Sequence, residues 1–191
     1  MKTIIVGITG ASGSIYGLRL IEELAKQNIK IHVIASQTAQ KVITYETGHI
    51  LKDFLNNLKA INAHLILEDV DNFFAHVASG SYKTDGMIVA PCSMGSLAQM
   101  ANGISSNLLI RAADVCLKER RPLIILARET PLSVINLENM LKLSQAGGII
   151  YPASVGFYSK PETLDDAINF MVGKVMDALH IEHTLYKRWG E

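Results

Sequence analysis

Five consecutive apolar residues, 123–127, lie between Pro122 and the polar run Arg128-Glu129-Thr130-Pro131. A strand with one wet face alternates apolar and polar side chains. An unbroken apolar run of strand length marks a strand covered on both faces, as in a parallel sheet sandwiched by helices. Apolar runs of similar length occur at 3–8, 31–35 and 87–90, the last expected to be broken by Pro91. Shorter strands are expected at 64–67 and 149–151. Between them lie helical patterns at about 14–27, 38–47, 96–101, 107–119, 137–145 and 163–179, with a short helix after residue 50 and another near 72–78. Gly48 is placed as a C-cap, Gly147-Gly148 as a helix stop, and Thr163 as an N-cap followed by Asp165-Asp166. This βαβα order predicts a three-layer α/β architecture: one parallel sheet with helices on both faces, as a single domain over residues 1–191.

Composition narrows the class. The chain has 191 residues, 49% apolar and 19% charged, with 18 basic and 18 acidic side chains. A nucleic-acid binder would carry a basic excess, so no nucleic-acid partner is expected. The modest charge content hints at an oligomer. Cys92 and Cys116 show no paired spacing, which suits a reducing compartment. There is no 18-residue apolar run and no signal-peptide pattern, so the expectation is a cytoplasmic protein without a membrane span.

In open α/β sheets ligands sit beyond the carboxyl ends of the strands. Three segments fall there. Arg128-Glu129 follows the strand at 123–127, and the preceding helix carries Arg111 and Lys118 seven residues apart, on one face. These three cations and one carboxylate are expected to converge on an anion. Gly7-Ile-Thr-Gly10-Ala11-Ser12-Gly13 lies between the first strand and helix, where glycines and a helix N-terminus suit a phosphate. Its spacing departs from G-x-G-x-x-G, and Ser36 stands where a ribose-binding acid would end the second strand. A mononucleotide such as FMN is favoured over NAD, although a plain tight turn accounts for the loop equally well. Pro91-Cys92-Ser93-Met94-Gly95-Ser96 suits a phosphate or ribityl chain, or simply a helix N-capped by Ser93. Cys92 reads as a buried thiol, and Glu46 by default as a solvated helix carboxylate. His180-x-x-His183 is the one metal-like spacing among six histidines, and no metal is expected.

Taken together, the segments Gly10-Ala-Ser-Gly13, Tyr45-Glu46-Thr47, Ser79 to Met87, Pro91-Cys-Ser93, Arg111 to Val115, Leu117 to Leu123, Arg128 to Leu132 and Phe157-Tyr158 resemble the flavin prenyltransferase (UbiX-type) family. They occur in family order over nearly the whole chain. The resemblance implies a flavodoxin-like Rossmann fold and a homododecamer with sites at subunit interfaces, including the tail from about residue 180. It implies a metal-independent enzyme that transfers dimethylallyl from dimethylallyl phosphate to N5 and C6 of reduced FMN. The prenylated FMN would then serve a UbiD-type decarboxylase, in ubiquinone biosynthesis or in aromatic acid decarboxylation. By matching positions, Gly10, Ala11, Ser12, Ser36, Ser93, Met94, Gly95, Ser96 and Arg128 would contact FMN. Arg111, Lys118, Arg128, Glu129, Tyr158 and Lys174 would hold dimethylallyl phosphate. Ser12, Glu46, Lys118 and Glu129 would be catalytic. Trp189 matches the aromatic of the family's Arg-Trp ending. Position 174 is Lys where some relatives have Arg, which replaces a planar fork by a point charge.

Such a role set makes physical sense. Breaking an allylic C–O bond leaves negative charge on phosphate, which protein cations stabilise when no metal does. Three other readings are weighed, of which direct decarboxylation of aromatic acids by this chain alone lacks a substrate-carboxylate site distinct from the phosphate pocket. A flavin-dependent cysteine decarboxylase would want a His base and a late cysteine clamp, and no Cys follows Cys116. A passive FMN carrier would not need the Lys118, Arg128, Glu129 and Lys174 set.

Overall fold

Residues 1–190 are described by a computed structural model. Six strands, β1 (Lys2–Ile8), β2 (Ile29–Ala35), β3 (Leu65–Glu68), β4 (Gly86–Cys92), β5 (Leu123–Ala127) and β6 (Gly148–Pro152), form one sheet in the order β3-β2-β1-β4-β5-β6. Every pairing is parallel. Seven α-helices connect or follow them: α1 (Ser14–Ala25), α2 (Gln37–Thr47), α3 (Leu51–Leu58), α4 (Met94–Ala101), α5 (Leu108–Lys118), α6 (Val134–Gln145) and α7 (Leu164–Asp177). Without the short edge strand β3 the order is flavodoxin-like, and with it the order is that of a doubly wound dinucleotide-binding sheet. The predicted Rossmann-like, flavodoxin-like architecture is what the chain adopts.

Beyond their first residues the four central strands β1, β2, β4 and β5 are almost wholly apolar, because both faces are covered there. Ile4, Val6 and Ile8 face one core with α1, α2, α3 and α7, whereas Ile5 faces the other with α4, α5 and α6. Successive side chains of a strand point to opposite faces, so a strand between two helical layers has no position for a solvated residue. His32 is the exception, a buried polar side chain in β2, held by Glu68 and Tyr82.

Three local readings change. The strand at 87–90 does not end at Pro91. It runs on to Cys92 with a register shift between Val89 and Cys92. Proline offers no N–H, so it sits where the ladder is irregular instead of stopping the strand. The helix expected near 72–78 is only a 3₁₀ turn at His76–Ala78. Asn72 uses its side-chain oxygen to accept from the Phe74 N–H, a local bond that competes with helix. Helix α6 also begins earlier than expected, at Val134, where Ser133 caps it by accepting from the Asn136 N–H.

Candidate functional site

Strand order reverses at β1, whose neighbours are β2 and β4. A crevice therefore opens beyond the carboxyl ends of β1 and β4. The loop after β1 turns at Gly13 with φ of 93°, a left-handed conformation that strains any other L residue. Gly10 is needed for a different reason: a Cβ there would lie 2.6 Å from Thr38 Cγ2, so α2 packs directly on the loop. Across the crevice, Ser93 caps α4 by accepting from the Ser96 N–H, and Ser36 caps α2 by accepting from the Ala39 N–H. The first turns of α1 and α4 thus begin on either side of one opening. At α1 the Gly13 and Ser14 N–H groups already hold the Glu46 carboxylate, whereas the start of α4 presents its N–H groups and positive dipole end to the crevice, where they favour an anion. A Cβ on Gly95 would meet nothing within 4 Å, so this rim is open.

Two residues that the sequence gave no reason to single out bind these loops together. Thr9 is buried, donates its hydroxyl to the Pro91 carbonyl at 2.9 Å and accepts from the Ser93 N–H at 2.8 Å. It is the strap between the two loops. Tyr16, in the first turn of α1, is pushed above its ordinary pKa of 10.0 by burial, against the opposing pull of nearby Arg128. Arg128 itself donates from Nε to the Ser12 carbonyl at 3.1 Å, and its backbone N–H bonds the Cys92 carbonyl at 3.1 Å. The three loops after β1, β4 and β5 are therefore joined into one rim.

Glu46 is not a freely solvated helix carboxylate. Near the end of α2, it accepts from the Gly13 N–H at 3.1 Å, from the Ser14 N–H at 2.9 Å and from the Ser14 hydroxyl at 2.7 Å. Burial alone would raise its pKa. Hydrogen bonds from the Ser12 and Ser14 hydroxyls and the Ser14 and Gly13 N–H groups outweigh that and hold it below the ordinary 4.5. At neutral pH it is an anion bonded to the Ser12 hydroxyl, a pair suited to moving a proton. Cys92 is fully buried and its thiol is pushed up to about 12 by that burial, so it stays protonated and is no nucleophile.

Glu129 lies just outside this rim, accepting from the Thr130 N–H at 2.9 Å. With Arg128, Ala153 and Ser154 it lines a cleft of about 310 Å³ between the ends of β5 and β6. Tyr158, in a 3₁₀ turn at Phe157–Ser159, makes edge contacts with Phe170 of α7 and with Trp189. Lys174 is in the last turn of α7, on the helix face of Phe170.

Arg111 and Lys118 do not join this group within one protomer, which corrects the expected convergence. Arg111 donates to the Ala78 carbonyl and pairs with Asp114 at 2.9 Å. Lys118 ends α5, paired with Glu119 at 3.3 Å. Helix α5 must return the chain to the start of β5, so its last turn lies at the amino edge of the sheet. The carboxyl edge is about 20 Å away along β5 at roughly 3.3 Å per residue. Arg111 and Lys118 do share a face of α5, but the helix runs away from the carboxyl edge and carries Lys118 to the opposite end of the sheet. No group of three or more His, Cys, Asp or Glu side chains is placed to hold a metal among the described residues, and His183 bonds Asp177.

A doubly wound sheet whose carboxyl edge gathers an open helix N-terminus, Arg128 and helix-capping serines defines a flavin mononucleotide-binding type of site. The family model Flavoprotein matches residues 1–177. The flavin prenyltransferase UbiX of Alkalihalophilus pseudofirmus is 50% identical over 197 residues, covering 100% of this chain and 97% of its own length. That of Methanocaldococcus jannaschii is 48% identical, covering 98% of each. Among solved structures, AnUbiX (PadA1) in complex with FMN and dimethylallyl pyrophosphate matches with a TM-score of 0.92 and 38% identity, over 100% of this chain and 98% of its own. A dodecameric FMN-dependent UbiX-like decarboxylase from Escherichia coli O157:H7 matches with a TM-score of 0.92 and 40% identity, over 99% and 100%. The chain belongs to the flavin prenyltransferase family of flavoproteins.

Proposed function

We propose that this chain uses dimethylallyl phosphate to prenylate reduced FMN, and that the residues around the Gly10–Gly13 loop carry the reaction. The observation that carries this reading is the Glu46–Ser12–Arg128 cluster at the crevice mouth. The residues present fit FMN. Its phosphate suits the N-terminus of α4, and Ser36, Ser93, Met94, Gly95, Ser96, Gly10, Ala11 and Ser12 would line it. Reduced FMN supplies the electron-rich ring that accepts the five-carbon group at N5 and C6.

The chain's own groups do the rest. Arg128 holds the loop carbonyl of Ser12 and presents the remaining guanidinium donors to an anion. Glu46 accepts from Ser12 and keeps that hydroxyl directed, ready to relay a proton near the ring edge. Glu129 and Arg128 face a common cleft, where a departing phosphate could be bound and protonated. Tyr158 offers an aromatic face to positive charge developing on carbon. Arg111 and Lys118, at a distance within the protomer, serve a neighbouring copy's donor phosphate in a dodecamer whose sites lie at subunit interfaces. The C-terminal tail takes part in the same interface. A UbiD-type decarboxylase receives the product, and the protein works in the cytoplasm. No helix among the described residues is long and apolar enough to cross a membrane.

The test is anaerobic incubation with reduced FMN and dimethylallyl monophosphate, then mass spectrometry of the released flavin. Gain of one C5H8 unit is expected. Unmodified FMN would overturn the assignment. Lys118→Ala and Glu129→Gln are each expected to keep FMN bound while prenylation falls, and unchanged turnover in both would remove those roles. The cysteine decarboxylases that resemble this chain, such as the peptidyl-cysteine decarboxylase EpiD at 19% identity, share its fold, and no cysteine clamp follows Cys116 here.

A further inference from the structure

Beyond α7 the chain folds back on the helix, and one carboxylate gathers the returning segment. Asp177 Oδ1 accepts from His183 Nε2 at 3.1 Å and from Arg188 at 2.7 Å, while Oδ2 accepts from the Tyr186 hydroxyl at 2.5 Å. His183 is buried, and its Nδ1 accepts from the Leu185 N–H at 3.2 Å, which leaves the proton on Nε2 for Asp177. Burial would raise the Asp177 carboxyl, but bonds from Arg188 and Tyr186 outweigh it and keep it ionised below the usual 3.8. The helix is notched to receive this segment. A Cβ on Gly173 would lie 2.6 Å from Tyr186 Cδ1 and 2.7 Å from His183 Cε1.

From the clasp an unbroken row of rings leads outward. Tyr186 lies 5.1 Å from Phe170, Phe170 lies 5.6 Å edge-on to Tyr158, and Tyr158 lies 5.5 Å edge-on to Trp189. The turn and the tail bound a cleft of about 440 Å³, lined by Tyr158, Ser159, Lys160, Lys187, Arg188 and Trp189. That volume is in the range of small-ligand sites. Tyr158 and Trp189 give it aromatic faces, the chemistry that meets the allyl end of the donor.

We propose that Asp177 is a positioning residue for the prenyl donor: by clasping His183, Tyr186 and Arg188 onto α7 it holds Trp189 against Tyr158 and so forms one wall of the donor cleft. Asp177 touches no reacting atom. It acts through the tail, and losing it lets the wall drift, which weakens donor binding while FMN, held by the loops after β1 and β4, stays bound. The proposal rests on the reading of Tyr158 as part of the donor pocket.

Trp189 is the chain's single tryptophan, so its fluorescence anisotropy reports the tail directly. The test compares the FMN-loaded wild type with Asp177→Ala and with Gly173→Ala. The second leaves every charged group in place and raises helix propensity, so it undocks the tail without weakening α7. Anisotropy, FMN content and calorimetric affinity for dimethylallyl phosphate are measured on each. Both variants are expected to keep FMN and lose anisotropy. Their Kd for dimethylallyl phosphate should rise by about tenfold, a modest figure for a displaced pocket wall. Unchanged donor affinity in both variants overturns the proposal, whether or not the anisotropy falls. A wild type that binds dimethylallyl phosphate but transfers no C5 unit defeats the prenyl-transfer reading and leaves this one standing. A wild type that does not bind it defeats both.

Discussion

At the scale of single residues, the site depends on hydrogen bonds that cross large sequence separations. Thr9→Val preserves shape but leaves the Ser93 N–H without its partner and the Pro91 carbonyl with only the Thr9 backbone N–H. A loss of about 1–3 kcal/mol in urea unfolding is expected, with weaker FMN binding, because a buried polar group stripped of its partner keeps its full desolvation cost. Glu46 makes a pH-dependent contribution whose sign follows from its lowered pKa. Its anionic form is bonded to the loop in the folded chain, so the stabilisation is fully present above the ordinary 4.5 and is lost as pH falls through the lower folded value. In Glu46→Gln that dependence should vanish. Comparing urea unfolding of the two proteins from pH 6 down to roughly pH 3 checks it, and the stability curves should converge at the acid end. No local pattern shows either hydrogen-bonding role, and only the family resemblance singled out Glu46. Thr9 is one residue in an apolar strand end, and Glu46 lies 33 residues from Gly13, on a helix whose docking no local pattern specifies.

At the scale of elements, the crevice is set by how closely α1 lies on the sheet. A Cβ on Gly17 would sit 2.4 Å from the Ala90 carbonyl oxygen, a backbone atom that cannot swing aside. Gly17→Ala should therefore lift α1, cost about 1–3 kcal/mol by overpacking, and weaken FMN binding by opening the loop that α1 begins. Thermal unfolding and flavin titration both report it; a wild-type result in both would mean that α1 has more slack than its packing indicates. The strands and most helices were legible because periodicity and caps are local. Leu123–Ala127 has the bounds that its apolar run predicted, and Thr163 forms a capping box with Asp166. The elements misjudged were those decided by a competing local bond, as at Asn72, or by tolerance of an irregular ladder, as at Pro91.

At the scale of the whole molecule, Val134, Ile135, Leu137 and Leu141 leave an apolar face of α6 exposed on the protomer. A patch of this kind marks an association surface. Ile135→Glu should lower the molar mass in light scattering, and an unchanged mass would place the subunit contact elsewhere. If Arg111 and Lys118 act on a neighbour's donor, then mixing inactive Lys118→Ala subunits with inactive Glu46→Gln subunits should restore prenylation, since some shared sites regain both groups. No recovery on subunit exchange would confine the site to one chain. The sequence by itself determined the alternation of buried strands and amphipathic helices, the glycine turn at the first helix and the candidate anion-binding side chains, because each is written in a few neighbouring residues. Only the tertiary structure decided which of them meet. Arg128 reaches Ser12 across 116 residues because β5 and β1 end at the same edge, whereas Lys118, ten residues before Arg128, ends at the opposite edge because its helix runs antiparallel to the strands. Strand order and chain direction are fixed by long-range packing, and no local pattern records them.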